Sequence, residues 1–224
     1  MNDKFRPALA ELVGTFAFVF IGAGSIITDS YTHGAVGLIG IALAHGLILS
    51  IMVSAFGAIS GGHFNPAVTV GAWVAGKADR ATVLLYIAAQ LIGGTLAGFL
   101  LRGLFPEAAW QAVHLGTPTL SVGISPAAGL LLEAILTFFL MLAVLGTFMD
   151  SIAPKIGGFG IGLAMAVDIL VGGPLTGAAM NPARVFGTAV AAGYWDYHWL
   201  YWIGPISGAA LASWIYTRCL SKTI

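Results

Sequence analysis

The sequence predicts an all-α integral membrane protein with six transmembrane helices and two re-entrant half-helices in an inverted repeat. Three observations carry that prediction: scarce charge, a tripeptide that occurs twice at matched places, and three crossings in each half. Only 8% of the 224 residues are charged and 58% are hydrophobic, with a mean hydropathy of +0.95. A soluble domain carries about 25% charged residues, so the lipid bilayer must be the main solvent of this surface. Net charge is zero, and no basic run offers a footprint for nucleic acid. The one cysteine, Cys219, excludes a disulfide framework and a cysteine-ligated metal site. Glycine is abundant, at 31 residues, as close helix packing in a membrane requires.

Six stretches are long enough to cross a bilayer, which needs about 20 residues: 8–28, 36–56, 82–104, 126–148, 157–173 and 199–218. No cleavage site of small residues follows the first, so Leu9–Ile27 reads as a retained helix. Short loops predict one domain over 1–224, with repeat one at 8–104 and repeat two at 126–218. Lys4, Arg6, Lys77, Arg80, Lys155, Arg218 and Lys222 fall on one side of six crossings. The positive-inside rule makes that side cytoplasmic. Both termini are expected there, and short tails suggest a prokaryotic cell (inner) membrane.

Asn65-Pro66-Ala67 follows span two, and Asn181-Pro182-Ala183 follows span five. Asn caps orphan N–H groups at a helix start, and Pro suits the first helical position. The apolar runs behind them, 68–76 and 185–192, are too short to cross. Each tripeptide therefore opens a half-helix at membrane depth. Non-helical backbone is expected over 57–64 and 172–180, where it must line a wet cavity or lie buried in protein. The halves correspond at offsets of 122, 116 and 115: 10–16 with 132–138, 60–67 with 176–183, and Leu85-Tyr86 with Leu200-Tyr201. Three crossings per half force the second to enter upside down, so the half-helices meet head to head.

Each helix N-terminus carries roughly half a positive charge, so two that face each other repel cations. The Asn65 and Asn181 amides can donate to a passing molecule. Carbonyls of Gly61, Gly62, His63 and Phe64, and of Gly177, Ala178, Ala179 and Met180, can supply acceptors on either side. An apolar tube with that lining would pass water and small neutral solutes. No cofactor and no chemical step are implied. Glu11 and Glu133 are repeat-related intramembrane acids. They read as anchors accepting N–H bonds from the re-entrant loops, the alternative being a proton relay, with Thr15 and Thr137 one turn on as helpers. His63 has no partner at ligand spacing, so no metal is expected.

The runs Ser60-Gly61-Gly62-His63-Phe64-Asn65-Pro66-Ala67-Val68-Thr69 and Asn181-Pro182-Ala183-Arg184, set in a six-span inverted repeat, resemble the aquaporin family over the whole chain. The resemblance implies six tilted helices and two half-helices around one pore per subunit, a homotetramer and a passive channel. It implies that Arg184 lines an outer constriction whose other members, by family spacing, are His45, Ile169 and Ala178. That set departs from the strictly water-selective pattern and is similar to plant vacuolar aquaporins, several of which pass ammonia. Their loop histidine is Leu120 here, with His114 out of register. Glycerol channels carry Asp after the arginine and Pro with an aliphatic residue on span six. This chain has Val185, Tyr201 and Trp202 there, and Ala189 also sides with water channels. Relatives blocked by mercury carry cysteine where Ala178 stands, so weak mercury sensitivity is expected. Asp168 has no assigned role, and beside Ile169 it should point about 100° away. The reading is a water channel, with ammonia and hydrogen peroxide as further candidate solutes. The alternatives are a secondary transporter, which shares inverted repeats, and a broader glycerol or ammonia facilitator.

Overall fold

The computed structural model describes residues 4–154 and 156–221; Lys155 and Lys222, two of the charges used for orientation, lie outside them. Among the described residues nine α-helices follow in order. They are α1 (Phe5–Tyr31), α2 (Gly37–Ser60), α3 (Pro66–Val74), α4 (Arg80–Leu104), the short α5 (Glu107–Gln111), α6 (Pro126–Val144), α7 (Phe159–Thr176), α8 (Pro182–Ala192) and α9 (Leu200–Ile215). π turns extend α6 through Leu145–Met149 and α9 through Tyr216–Leu220. The helices α1, α2, α4, α6 with its turn, and α7 are long and apolar enough to cross a membrane. α9 has 16 residues and gains the length of a crossing from its π turn.

Local chemistry sets several starts. The Asp79 carboxylate accepts from Thr82 N at 2.7 Å and opens α4. Ser125 accepts from Ala128 N ahead of Pro126 and opens α6. Asp29 Oδ1 accepts from Val36 N and Gly37 N at 3.0 and 2.7 Å, which ties the end of α1 to the start of α2.

The packing repeats. α1 lies on α2 and α4 as α6 lies on α7 and α9. Each half-helix docks on the last span of the other repeat, α3 on α9 and α8 on α4. Matched glycines allow backbone to touch backbone: Gly93 faces the Leu12 carbonyl, and Gly208 faces the Ala134 carbonyl. Burial runs opposite to that of a soluble protein. Glu11, Gln90, Glu133 and Arg184 are inside, while Leu84, Ile39 and Leu131 face outward, as a lipid-bathed surface requires.

The non-helical stretches are shorter than the sequence suggests. α2 runs to Ser60 and α7 to Thr176, so irregular backbone begins at Gly61 and Gly177, not at 57 and 172. Both helices stop on glycine in the left-handed region, at φ 90° and 82°, a conformation that a side chain resists. Gly172-Gly173-Pro174 reads as a break, yet α7 continues through it. Ser121 N donates to Leu175 O at 2.9 Å and Ser121 Oγ to Pro174 O at 2.6 Å. Donors from a loop far away in sequence thus cover the carbonyls at the end of this helix. The segment joining the repeats is not plain loop either: it forms α5 and a 3₁₀ turn at His114–Gly116.

Candidate functional site

The two half-helix starts meet. Asn65 and Asn181 are extended, with φ of −159° and −146°, as an N-cap demands. Asn65 Oδ1 accepts from Ala67 N at 2.8 Å. Asn181 Oδ1 accepts from Ala183 N and Arg184 N at 3.0 and 3.2 Å. With each oxygen committed to its own helix, each nitrogen must point away. Asn65 Nδ2 donates to Met180 O at 2.8 Å, and Asn181 Nδ2 donates to Phe64 O at 2.9 Å. Each loop thus receives the other's amide. Pro66, Ala67, Pro182 and Ala183 are buried in the first turns. One N–H per amide remains for the narrow gap that Asn65, Asn181 and His63 share with Phe18, Leu49 and Met165.

Two carbonyls of the acceptor ladder have a second task. Phe64 and Met180 carbonyls are engaged across the join, and both residues hold positive φ, 49° and 51°, to make it. Gly61, Gly62, His63, Gly177, Ala178 and Ala179 carbonyls are not drawn into that cross-bond.

Both acids hold loops. Glu11 accepts from Ser60 Oγ and His63 N on one oxygen, at 2.6 and 3.0 Å. On the other it accepts from Phe64 N and Gln90 Nε2, at 2.6 and 2.8 Å. Glu133 accepts from Thr176 Oγ1, Ala179 N and Met180 N at 2.7–2.9 Å. Thr15 and Thr137 do not assist. Thr137 donates back to its own helix at Glu133 O, and the Thr15 hydroxyl has no partner among the described residues. Ser60 and Thr176, at the span ends, supply the hydroxyls instead. Tyr86 and Tyr201 donate to the Ser60 and Thr176 carbonyls, both at 2.8 Å. Sequence reasoning matched these tyrosines as a repeat pair and missed their role, which the shared offset could have suggested. It also missed Gln90, and Arg102, which donates to the Ala191 carbonyl at the end of α8.

Thr69 orders the first loop. Its hydroxyl donates to Asn65 O at 3.0 Å, so it accepts from Gln90 Nε2 and from His63 Nδ1–H.

Beyond the join, a cavity of about 230 Å³ is walled by His45, Ile169, Arg184, Gly177 and Thr117. Three of the four expected constriction residues therefore share one space. Ala178 does not wall it: this residue is 2% exposed and its methyl lies near Gly172. His45 Nδ1 is 2.9 Å from the Ile41 carbonyl, which can only accept, so the neutral ring carries its proton there. Arg184 is 2% exposed, and its Nε and Nη1 have no partner among the described residues. The Thr117 hydroxyl and His45 Nε2 are likewise unpartnered. Buried polar atoms are costly without partners, so this cavity is suited to a polar occupant. Leu120 packs on Gly129 instead, and His114 stacks on Tyr194 with centroids 3.9 Å apart. Asp168 is buried, does not wall the cavity, and leaves Oδ2 unpartnered among the described residues.

A polytopic bundle with a lipid-facing exterior and a polar seam between opposed half-helices has the build of a membrane channel. Residues 2–216 match the model of the major intrinsic protein family. The chain is 45% identical to aquaporin TIP4-4 of Zea mays over 94% of this chain and 85% of that one. It is 42% identical to aquaporin-8 of Mus musculus over 90% and 77%. The solved structure of the aquaglyceroporin from Plasmodium falciparum superposes with a TM-score of 0.86 over 96% of each chain. At 24% identity that likeness shows the fold alone. The chain belongs to the major intrinsic protein family, the aquaporins.

Proposed function

We propose that this integral membrane protein forms a passive pore for water and small neutral solutes, excludes protons and other ions, and selects at His45, Ile169 and Arg184. The observation that carries the reading is the reciprocal tie of Asn65 and Asn181 between two opposed helix N-termini. Two positive helix ends repel cations there, while the remaining amide N–H groups hold a water oxygen. Arg184 adds donors at the outer cavity, and Ile169 leaves one wall apolar. That wall favours ammonia and hydrogen peroxide as additional solutes, and Val185, Tyr201 and Trp202 argue against glycerol. The chain works as one channel domain, as a homotetramer in the cell (inner) membrane, with both termini in the cytoplasm. Osmotic shrinkage of proteoliposomes tests the reading. Fast water flux with a low activation energy is expected, without proton leak. Saturable, gradient-coupled transport without fast water flux would overturn it in favour of a transporter.

A further inference from the structure

We propose that Gly22 of α1 sets the width of the outer opening by giving the His45 ring a place to lie back. The inference rests on the channel reading above. The Cδ2–Nε2 edge of the ring faces the Gly22 α-carbon. A methyl group on Gly22 would sit 2.5 Å from both atoms and 3.1 Å from Cε1, where ordinary contact begins near 3.4 Å. The ring would have to shift by roughly 1 Å.

Few directions are open to it. The His45 backbone cannot retreat, because Gly46 is pressed against the Gly162 carbonyl and Ala166 on α7. Phe18, one turn earlier on α1, stands edge-on to the ring with centroids 5.7 Å apart. The Nδ1–H bond to Ile41 O holds the opposite edge. α1 is itself backed by Gly116, which lies against Ala23. What remains is the cavity shared with Ile169 and Arg184. Gly22 is a positioning residue: it acts on passage through His45 without walling the cavity.

The test is water permeability of proteoliposomes at equal protein content for wild type, Gly22→Ala, His45→Ala, and the double variant. Gly22→Ala should lower water permeability about tenfold. The double variant should match His45→Ala, because the methyl then meets no ring. Gly24→Ala is the control, since its methyl meets only the Leu101 Cδ2 tip at 3.3 Å, and it should match wild type. If Gly22→Ala fails to assemble, the double variant decides: water permeability equal to that of His45→Ala supports the proposal, and a lower value overturns it. Wild-type flux in Gly22→Ala overturns the proposal. So does a loss that persists when the ring is removed. A wild-type protein that conducts no water sinks the channel reading itself, which the same series distinguishes.

Discussion

Glu11 and Glu133 hold equivalent loops, yet Glu11 receives four donors and Glu133 three. The fourth comes from Gln90, whose counterpart at an offset of 115 is Pro205, which has no side-chain donor. The half-helices diverge in the same sense. After Ala67 comes Val68, then Thr69, which is bonded to His63, Gln90 and its own helix. After Ala183 comes Arg184, with two nitrogens unpartnered among the described residues. The first region spends its donors on its own loop, with Gln90 Oε1 left unpartnered among the described residues, whereas in the second Arg184 is one wall of a cavity. The difference separates polar groups that make the fold from those available to act on a passing molecule.

The comparison can be broken most severely at the acids. Glu11→Ala and Glu133→Ala should each cost several kcal/mol of stability, about 1–3 kcal/mol for each buried donor left without its acceptor. Glu11→Ala should be the worse, read by thermal unfolding in detergent, and equal losses would refute the ranking. Gln90→Leu should cost about 1.5–3 kcal/mol, the worth of a hydrogen bond to a charged group. In that background Glu11→Ala and Glu133→Ala should converge. Arg184→Ala should leave the melting temperature nearly unchanged while relaxing discrimination between water and larger neutral solutes about tenfold, as measured by a solute panel in proteoliposomes. A fall in stability as large as that of Glu133→Ala would put Arg184 among the structural groups. His45→Phe with Ile169→His should lower the ammonia-to-water flux ratio about fivefold. Absence of ammonia flux in the wild type would refute the wide-opening reading behind that swap.

The smallest effect lies outside the membrane. Ile152 N and Tyr216 Oη donate to Asp150 at 3.2 and 3.0 Å and hold its carboxyl below the usual carboxylate range. A lowered folded value means that the carboxylate contributes stability above the ordinary carboxylate pKa. That contribution is lost as pH falls through the lowered value. Asp150→Asn should flatten the acid limb of a melting-temperature profile slightly, and an unchanged limb would remove Asp150 from the account.

Much of this architecture is legible in the sequence because it rests on local signals. Asn-Pro marks a helix start by capping geometry, and span length follows from bilayer thickness. The repeat offset then pairs Glu11 with Glu133 and Tyr86 with Tyr201. What escapes are contacts between distant segments. Ser121 covers the carbonyls of α7 from more than fifty residues away, so Gly172-Gly173-Pro174 looks like a break and is not one. Thr15 and Thr137 sit one turn from the acids, but a helical hydroxyl prefers the carbonyl four residues back, as Thr137 shows. Gly22 is one of 31 glycines, and only the His45 ring beside it singles it out.

The reciprocal asparagine tie also orders events during synthesis. The Phe64 carbonyl leaves the ribosome 117 residues ahead of the amide that will bond it. α3 emerges equally early, while α9, on which it docks, follows more than 120 residues later. The Phe64 carbonyl must therefore wait for its partner, while the loop N–H groups beside it already have Glu11 of the same repeat to hold them. Contacts this far apart in sequence close slowly compared with local ones. A nascent chain stopped after α4 holds a half-helix lacking its cross-bond and its seat. The join at the centre of the molecule thus closes only after Asn181 of the second repeat has been made and has reached the first.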